Sequence, residues 1–143
     1  MVPIVLSQNE VTESGHEYAD VYGREYEYPK RYSRLVIPGT RFVYYRGRRS
    51  TGGQSRPPVY LGVGRIGQVR DGPRDLLVCD IVDYREFPAP VVFKQNGVYL
   101  EPGANDFPSR SVGMHFRPGV RSIDDAVYAR ICMLGLTGPD ASP

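Results

Sequence analysis

Residues 38–69 read PGTRFVYYRGRRSTGGQSRPPVYLGVGRIGQV, and this stretch predicts two strands separated by a basic loop. Pro38-Gly39 occupies the second and third positions of a tight turn. Residues 41–46 follow and are rich in the aromatic and β-branched side chains that favour strands. Residues 47–57 are polar, basic and glycine-rich, as in a loop, and residues 59–69 predict the second strand. We therefore expect β-structure to dominate the fold.

The residues that follow predict a third strand and a hairpin. Residues 76–84 are apolar on both faces apart from two aspartates, so this strand is expected to be central. Phe87-Pro88-Ala89-Pro90 predicts a bend. Asn96-Gly97 is a strong hairpin signal between two short apolar runs, residues 91–94 and 98–101.

One helix and one helical turn complete the set of predicted elements. Ser122 opens a helix that runs to about Leu134 and takes Gly135 as its C-terminal cap. Pro29 precedes a single helical turn, and residues 2–6 predict a short edge strand. We therefore predict an α+β domain built around a small, antiparallel, barrel-like sheet of five or six strands, with one C-terminal helix and a short helical segment.

The length of 143 residues is sufficient for one domain with a buried core. Residues 1–17 are interpreted as a leader, residues 18–134 as the domain, and residues 135–143 as a tail or truncated linker. No apolar run approaches the roughly 18 residues that a membrane span requires. Cys79 and Cys132 lie in apolar stretches, which indicates buried free thiols in a reducing compartment and predicts a cytoplasmic protein.

Positive charge is concentrated in residues 24–56. That stretch holds nine basic side chains and two acidic ones, a net charge of +7, whereas the whole chain carries +2. Sixteen of the eighteen basic residues of the chain are arginines. The arginine guanidinium donates two parallel hydrogen bonds to phosphate or guanine, and it also stacks on bases. A basic field on a nearly neutral body is typical of a surface that binds a polyanion.

Four tyrosines lie beside this charge: Tyr18, Tyr22, Tyr26 and Tyr28. One interpretation is that they pack against the sheet and send their hydroxyls to its rim. The other is that they stack on unpaired bases, a contact worth about 1–3 kcal/mol per base. An aromatic pocket with a few hydrogen-bonding groups is also how a base flipped out of a duplex is read. The neighbouring charge favours the second interpretation for the cluster as a whole.

Motifs typical of enzymes and metal sites lack the context that they require. Residues 62–67 spell G-x-G-x-x-G, but no helix of about ten residues fits before the turn at residues 71–73, as a dinucleotide site demands. His16 and His115 are far apart and have no partner cysteine motif, so no zinc site is predicted. An acidic group is interpreted as the charged end of a central strand: Asp80, Asp83 and Glu86. We therefore predict no catalytic residue, metal or cofactor.

The order of these motifs resembles the EVE domain of the PUA superfamily. The resemblance is carried by residues 38–69, residues 77–82 (LVCDIV), Pro90-Val91 and residues 116–123 (FRPGVRSI). The last run is similar to the closing element of EVE-like modules at the N-terminus of HNH-type modification-dependent restriction endonucleases. The resemblance covers residues 18–134. The chain departs from the family pattern by having no tryptophan, Gly39-Thr40 for Gly-Asp, Tyr45-Arg46-Gly47 for Tyr-His-Ser, and no HNH motif.

This resemblance implies a DNA-binding module that recognises a modified base, such as a methylated or hydroxymethylated cytosine, flipped from duplex DNA into an aromatic pocket. The implied pocket residues are Tyr22, Tyr26, Tyr28 and Tyr45, with Asn105 and Asp106 at the base edge. The implied phosphate contacts are Arg24, Arg31, Arg46, Arg48, Arg49 and Arg56. The module itself is expected to be non-catalytic and to act with a fused or partner nuclease.

Three other classes of function stay open at this point. The PUA superfamily also contains RNA readers, so structured RNA is an alternative ligand. If the protein is an enzyme that acts on a small nucleotide, turnover of a nucleotide substrate would be measurable. A partner-binding module of a larger complex would bind no nucleic acid at all.

Overall fold

Eight strands are present in the part of the chain that the computed structural model describes, residues 1–8, 23–47 and 56–137. They are β1 (Ile4–Ser7), β2 (Glu25–Pro29), β3 (Arg41–Arg46), β4 (Val59–Asp71), β5 (Leu76–Val92), β6 (Lys94–Gln95), β7 (Val98–Tyr99) and β8 (Val120–Ser122). Six of them form one sheet in the order β2-β5-β4-β3-β1-β8, while β6 and β7 form a separate hairpin. Two α-helices follow β7, α1 (Gly113–Phe116) and α2 (Asp125–Thr137). Short 3₁₀ turns cover Lys30–Tyr32, Pro102–Asp106 and Ser109–Ser111.

Hydrogen bonds between the two ends of the sheet show that it curls into a half-barrel. The hydroxyl of Tyr26, on β2, donates to the carbonyl of Ser7 at 2.7 Å and to that of Gly119 at 3.3 Å. The backbone N–H of Gly119 in turn donates to the Tyr32 hydroxyl at 3.3 Å. Because β2 is the first strand in the sheet order and β1 and β8 are the last, these bonds require the two ends to meet. The architecture is α+β, with a curled six-stranded sheet and a C-terminal helix, which confirms the predicted fold class.

Each face of the curled sheet carries a cluster of buried core residues. Successive residues of a strand point to opposite faces, and in β1 and β3 they join two different core clusters. The inner cluster contains Leu6, Tyr26, Tyr28, Phe42 and Tyr44 among others. The outer cluster contains Val5, Val43, Tyr45, Tyr60 and Ile131 among others, and it includes residues of α2, which packs on β5 and β4.

The G-x-G-x-x-G motif lies inside β4, where its glycines allow close packing. A Cβ atom on Gly62 would lie 2.5 Å from the Tyr84 hydroxyl oxygen and 2.6 Å from the carbonyl oxygen of Arg85. A Cβ atom on Gly64 would lie 2.9 Å from the Phe42 ring. The strand continues to Asp71 without a helix, so the strand–turn–helix geometry of a dinucleotide site is absent from this motif, as predicted.

Several local predictions are confirmed. β3 has the predicted bounds, and β4 begins at the predicted residue. The Asn96-Gly97 turn joins β6 to β7 with positive φ at both residues, 52° and 79°, as a two-residue hairpin requires. The single helical turn follows Pro29. Cys79 is buried, Cys132 is half-buried, and both are free thiols. Among the described helices, none is long and apolar enough to cross a membrane.

Two predicted elements differ from the structure. The bend predicted at residues 87–90 lies within β5, a strand of 17 residues, at the register shift where Tyr60 and Gly62 of β4 pair with Val91 and Glu86. The helix α2 starts at Asp125 and continues past Gly135 to Thr137. Gly135 does not cap it; a Cβ atom there would lie 2.4 Å from the Phe87 ring, so the glycine allows α2 to approach β5.

The predicted leader also requires correction. Residues 4–7 form β1, which lies between β3 and β8 in the sheet, so they belong to the domain and not to a leader. β1 pairs with β3 in parallel, and the sheet is therefore mixed and not purely antiparallel. The rest of the predicted leader after residue 8, and residues 138–143 of the predicted tail, lie outside the described residues. The division of the chain into a domain and a tail stays a prediction.

Candidate functional site

A cavity of about 380 Å³ opens where the ends of three strands meet α1. Tyr45 is contributed by β3, Pro58 precedes β4, and Phe93 follows β5. The complete lining is Tyr45, Gly47, Pro58, Phe93, Val112, Gly113 and Phe116. No lining residue is acidic or basic, so the walls offer aromatic rings and backbone polar groups.

The aromatic walls of the cavity hold one another in place. The Tyr45 and Phe116 rings are stacked with centroids 5.4 Å apart and an angle of 12° between their planes. Phe93 meets Phe116 edge-on at 5.3 Å, and Tyr99 supports Phe116 at 5.8 Å. Tyr45 is only 4% exposed, whereas Phe116 is half-buried. Phe116 therefore supplies more of the accessible aromatic surface than Tyr45 does.

A buried ion pair lies beneath these rings. The Arg121 guanidinium forks onto the Glu101 carboxylate, with Nε donating to Oε1 at 2.6 Å and Nη2 donating to Oε2 at 2.8 Å. The Tyr60 hydroxyl donates to Oε2 at 2.6 Å, and Nε2 of His115 lies 3.2 Å from Oε1. Glu101 and Arg121 are 1% and 8% exposed, so each charge depends on the other for its neutralisation.

The same guanidinium connects the ion pair to the cavity wall. Cζ of Arg121 lies 4.7 Å from the centroid of the Tyr45 ring and 5.1 Å from that of Phe116, within the range of cation–π attraction. Nη1 also donates to the Pro118 carbonyl at 3.2 Å, which fixes the chain between α1 and β8. The ion pair thus sets the positions of both rings from below.

The ionisation of Glu101 follows from this environment. Burial by itself raises the pKa of the Glu101 carboxyl, but hydrogen bonds from Arg121, His115 and Tyr60 outweigh burial and lower it from 4.5 to about 2. Burial also raises the pKa of the Tyr60 phenol well above its ordinary value, and the negative charge of Glu101 adds to that effect. At neutral pH the network therefore holds a carboxylate, a guanidinium and a neutral phenol.

We expect the Glu101 network to make stability depend on pH in the acid range. Since the folded-state pKa is depressed, the stabilisation is fully present above pH 4.5 and is lost as the pH falls toward about 2. A shift of this size corresponds to about 3 kcal/mol. The measurement is urea unfolding of the wild-type protein and of Glu101→Gln across that pH range. The stability difference between them should shrink steadily toward low pH; a constant difference would rule out this role for Glu101.

Two of the predicted pocket tyrosines lie elsewhere. Tyr26 and Tyr28 are each 1% exposed and belong to the inner core cluster, where their rings stack at 6.2 Å. They alternate with Glu27 along β2, so both point into the half-barrel. With no accessible surface, neither ring forms part of the cavity wall, and the interpretation of these two as pocket residues is corrected to core packing. Tyr22 lies outside the described residues.

Asn105 and Asp106 lie on an exposed 3₁₀ turn and do not line the cavity. Oδ1 of Asn105 accepts a hydrogen bond from the Tyr99 backbone N–H at 3.2 Å, and Nδ2 donates to the Tyr99 carbonyl at 3.3 Å. The amide therefore holds β7 against this turn, so its position does not favour the predicted contact with a base edge.

The predicted phosphate-binding arginines are distributed unevenly around the cavity. Arg56 is half-buried, and its Nε donates to the carbonyl of the lining residue Gly47 at 3.3 Å. Arg46 is half-buried and follows Tyr45 along β3, but its side chain is not part of the cavity lining. Arg24 is exposed next to β2, and Arg31 is exposed with its guanidinium 4.8 Å from the Tyr32 ring centroid. Arg48 and Arg49 lie outside the described residues.

Three further arginines form a basic row on the outer face of the sheet. Arg41 and Arg65 are direct cross-strand partners, and Arg85 lies opposite Val63 on β5. Arg41 bonds Asp125 at 2.5 Å, while Arg65 and Arg85 are exposed. Like charges placed opposite each other are unfavourable unless an anion offsets them. The row lies on the same face as Tyr45, about 13 Å along β3 at the usual rise per residue.

Sequence reasoning missed the residues that build the cavity. Glu101 directly precedes the 3₁₀ turn at Pro102–Asp106, His115 and Phe116 lie on α1, and Arg121 lies on β8, so no single local motif contains all four. The signal that existed was the run at residues 116–123, which contains both Phe116 and Arg121 and resembles a family element without revealing their roles. In the described residues, no group of three or more His, Cys, Asp and Glu side chains could hold a metal ion.

Comparison with solved structures identifies a protein that shares the fold. No protein-family model matches the chain, and no curated protein sequence matches it. The N-terminal domain of Staphylothermus marinus McrB is similar in structure, with a TM-score of 0.55 at 13% sequence identity, over 92% of this chain and 93% of that one. At this level of identity the similarity shows a shared fold. The chain therefore shares the fold of that domain over nearly its whole length.

Proposed function

We propose that this chain is a DNA-binding module that reads a modified base, and that the cavity beside Tyr45 and Phe116 receives that base. The observation that carries the proposal is an aromatic cavity positioned by a buried ion pair, with Arg56 bonded to the backbone of the lining residue Gly47. The sequence resemblance to EVE-like reader modules and the fold shared with the N-terminal domain of McrB support the same class of function. A modified cytosine flipped from duplex DNA is the ligand that we infer.

The lining of the cavity suits such a ligand. Its volume of about 380 Å³ lies at the lower end of the range for small-molecule sites, roughly 300–1,000 Å³. Stacking on Phe116 and Tyr45 would hold the flat base, and backbone groups at Gly47 and Gly113 are available to its polar edge. An added methyl group on the base would enter an apolar environment, which favours the modified base over the plain one by burial of apolar surface.

The arginines around the cavity would hold the DNA backbone. Arg56 contacts the backbone of the lining residue Gly47, and the basic row of Arg41, Arg65 and Arg85 lies on the same face as Tyr45. Phosphate contacts position a duplex without reading its sequence, whereas contacts to the base supply the specificity. We propose that the loop arginines Arg48 and Arg49 add to this electrostatic contact. The module needs no catalytic group of its own, and a fused or partner nuclease would supply cleavage.

Replacing the aromatic wall is expected to remove the preference for modified DNA. Since stacking on one aromatic ring is worth about 1–3 kcal/mol, Phe116→Ala and Tyr45→Ala should each reduce the preference for modified over unmodified duplex by about 5- to 150-fold. Weak general binding should remain, because the arginines are unchanged. The measurement is fluorescence anisotropy with matched duplexes carrying different cytosine and adenine modifications, and with structured RNA as a competitor. Tyr32→Ala, an aromatic change away from the cavity, is the matched control.

A second variant tests the cavity without removing core packing. A Cβ atom on Gly113 would meet no atom within 4 Å, so Gly113→Leu introduces a side chain at the cavity lining without a clash at its first carbon. We expect normal stability and a lost preference for modified DNA. If the preference survives both Gly113→Leu and Phe116→Ala while Arg48→Ala/Arg49→Ala removes all binding, the chain is a nonspecific polyanion binder. Tighter binding of structured RNA than of any duplex would favour the RNA-reader alternative instead.

A further inference from the structure

One segment beside the cavity has exposed side chains that take no part in stacking on a base. This lip segment, residues 107–117 (FPSRSVGMHFR), contains two arginines and no acidic residue. Val112 and Gly113 within it line the cavity. Its far end is anchored firmly, because Phe116 stacks on Tyr45 and His115 contacts the buried Glu101 carboxylate. The lip segment is thus held at its C-terminal end against the cavity wall and the ion pair.

Met114, within the lip segment, is exposed to solvent. It is 56% exposed, although the residue before it lines the cavity and the residue after it contacts Glu101. Phe107, at the other end of the lip segment, is 37% exposed. Arg110 and Arg117 are exposed in the same stretch. This arrangement suits a DNA duplex beside a cavity for a base. The apolar side chain of Met114 suits the stacked bases, and the two arginines suit the charged phosphates.

We propose that Met114 is a wedge that enters the base stack of duplex DNA at the position vacated by the flipped base. This inference rests on the proposed function. Proteins that kink or open duplexes insert apolar side chains between bases, and methionine is among those used. Its unbranched, polarisable chain adapts to an irregular gap. Arg110 and Arg117 would hold phosphates on the two sides of the opened step, which fixes the depth of insertion.

Insertion of Met114 into the base stack and a general surface contact by Met114 predict different results for duplex and single-stranded DNA. A flipped base leaves a gap in a paired duplex, but a single strand has no such gap. Met114→Ala should therefore weaken binding to a duplex with one modified base by about tenfold, and change binding to a single strand with the same base by less than about twofold. Met114→Leu, which keeps an apolar side chain of similar size, should retain duplex binding. Met133→Ala, at a 66% exposed methionine on α2 outside the cavity lining, is the matched control and should change neither.

A fluorescent base analogue next to the modified base gives an independent readout of unstacking. The wild-type protein should raise its fluorescence on the duplex, and Met114→Ala should reduce that rise. An equal loss of affinity for duplex and single strand would show that Met114 is a general contact and would overturn the wedge. Unchanged duplex binding and fluorescence in Met114→Ala would also overturn it, while leaving the reader function intact. Failure of the wild-type protein to prefer any modified duplex would overturn both proposals.

Discussion

Arg121→Ala should lower the free energy of unfolding by about 3–5 kcal/mol, because it leaves the Glu101 carboxylate buried without its counter-ion. Glu101 is 1% exposed, and both of its oxygens accept hydrogen bonds from the guanidinium. The variant also removes the cation that lies over the Tyr45 and Phe116 rings, so the cavity wall should loosen as well. Urea unfolding at neutral pH, followed by circular dichroism, measures the change.

Two comparisons isolate the cause of that loss. Arg70→Ala removes an exposed arginine that bonds Glu25 and Asp80, and it should change stability little, because solvent screens surface ion pairs. The double variant Arg121→Met/Glu101→Met replaces both charges by apolar side chains and should recover much of the stability lost in Arg121→Ala. If the double variant is no more stable than Arg121→Ala, lost packing and not the orphaned carboxylate is the cause.

The second large effect is expected at Gly62, where alanine should destabilise the protein by about 3 kcal/mol. The added Cβ atom would lie 2.5 Å from the Tyr84 hydroxyl oxygen and 2.6 Å from the Arg85 carbonyl oxygen. The tyrosine ring can move, but the carbonyl belongs to the backbone of β5, which pairs with β4 at this point. Relief of the clash therefore requires separation of the two longest strands of the sheet.

Gly113→Ala is the matched control for Gly62→Ala. A Cβ atom there meets no atom within 4 Å, and the residue is helical, so alanine should be neutral or stabilising by up to about 1 kcal/mol. Thermal unfolding of both variants and the wild-type protein measures the contrast. Equal stability of Gly62→Ala and the wild-type protein would show that β4 and β5 adapt to the extra atom, and the packing role of the motif would then be wrong.

Much of the fold could be predicted from short stretches of sequence. The aromatic and β-branched run of β3 and the Asn96-Gly97 turn specify their own conformations, because side-chain crowding and positive φ act over two to six residues. The bounds of long elements were harder to predict. β5 continues through two prolines because both lie at a register shift opposite β4, where the ladder is interrupted.

The candidate site was predictable only in part. Tyr45 was expected at the pocket, and it does line the cavity. Tyr26 and Tyr28 were assigned there because they lie beside charge in the sequence, yet their spacing of two residues places both on one face of β2, toward the core. That period of two was present in the sequence as a strand signal, but which face is buried depends on the partner strand.

By itself, the sequence determined the composition of the protein and its local elements: a β-rich chain, an arginine-rich third and a C-terminal helix. These follow from conformational preferences that act over a few residues. Only the tertiary structure decided that β1 lies inside the sheet, which rings face the cavity, and that Glu101 and Arg121 form a buried pair. Each of those outcomes depends on strand register and on contacts between residues 20 or more positions apart, and no local preference specifies them.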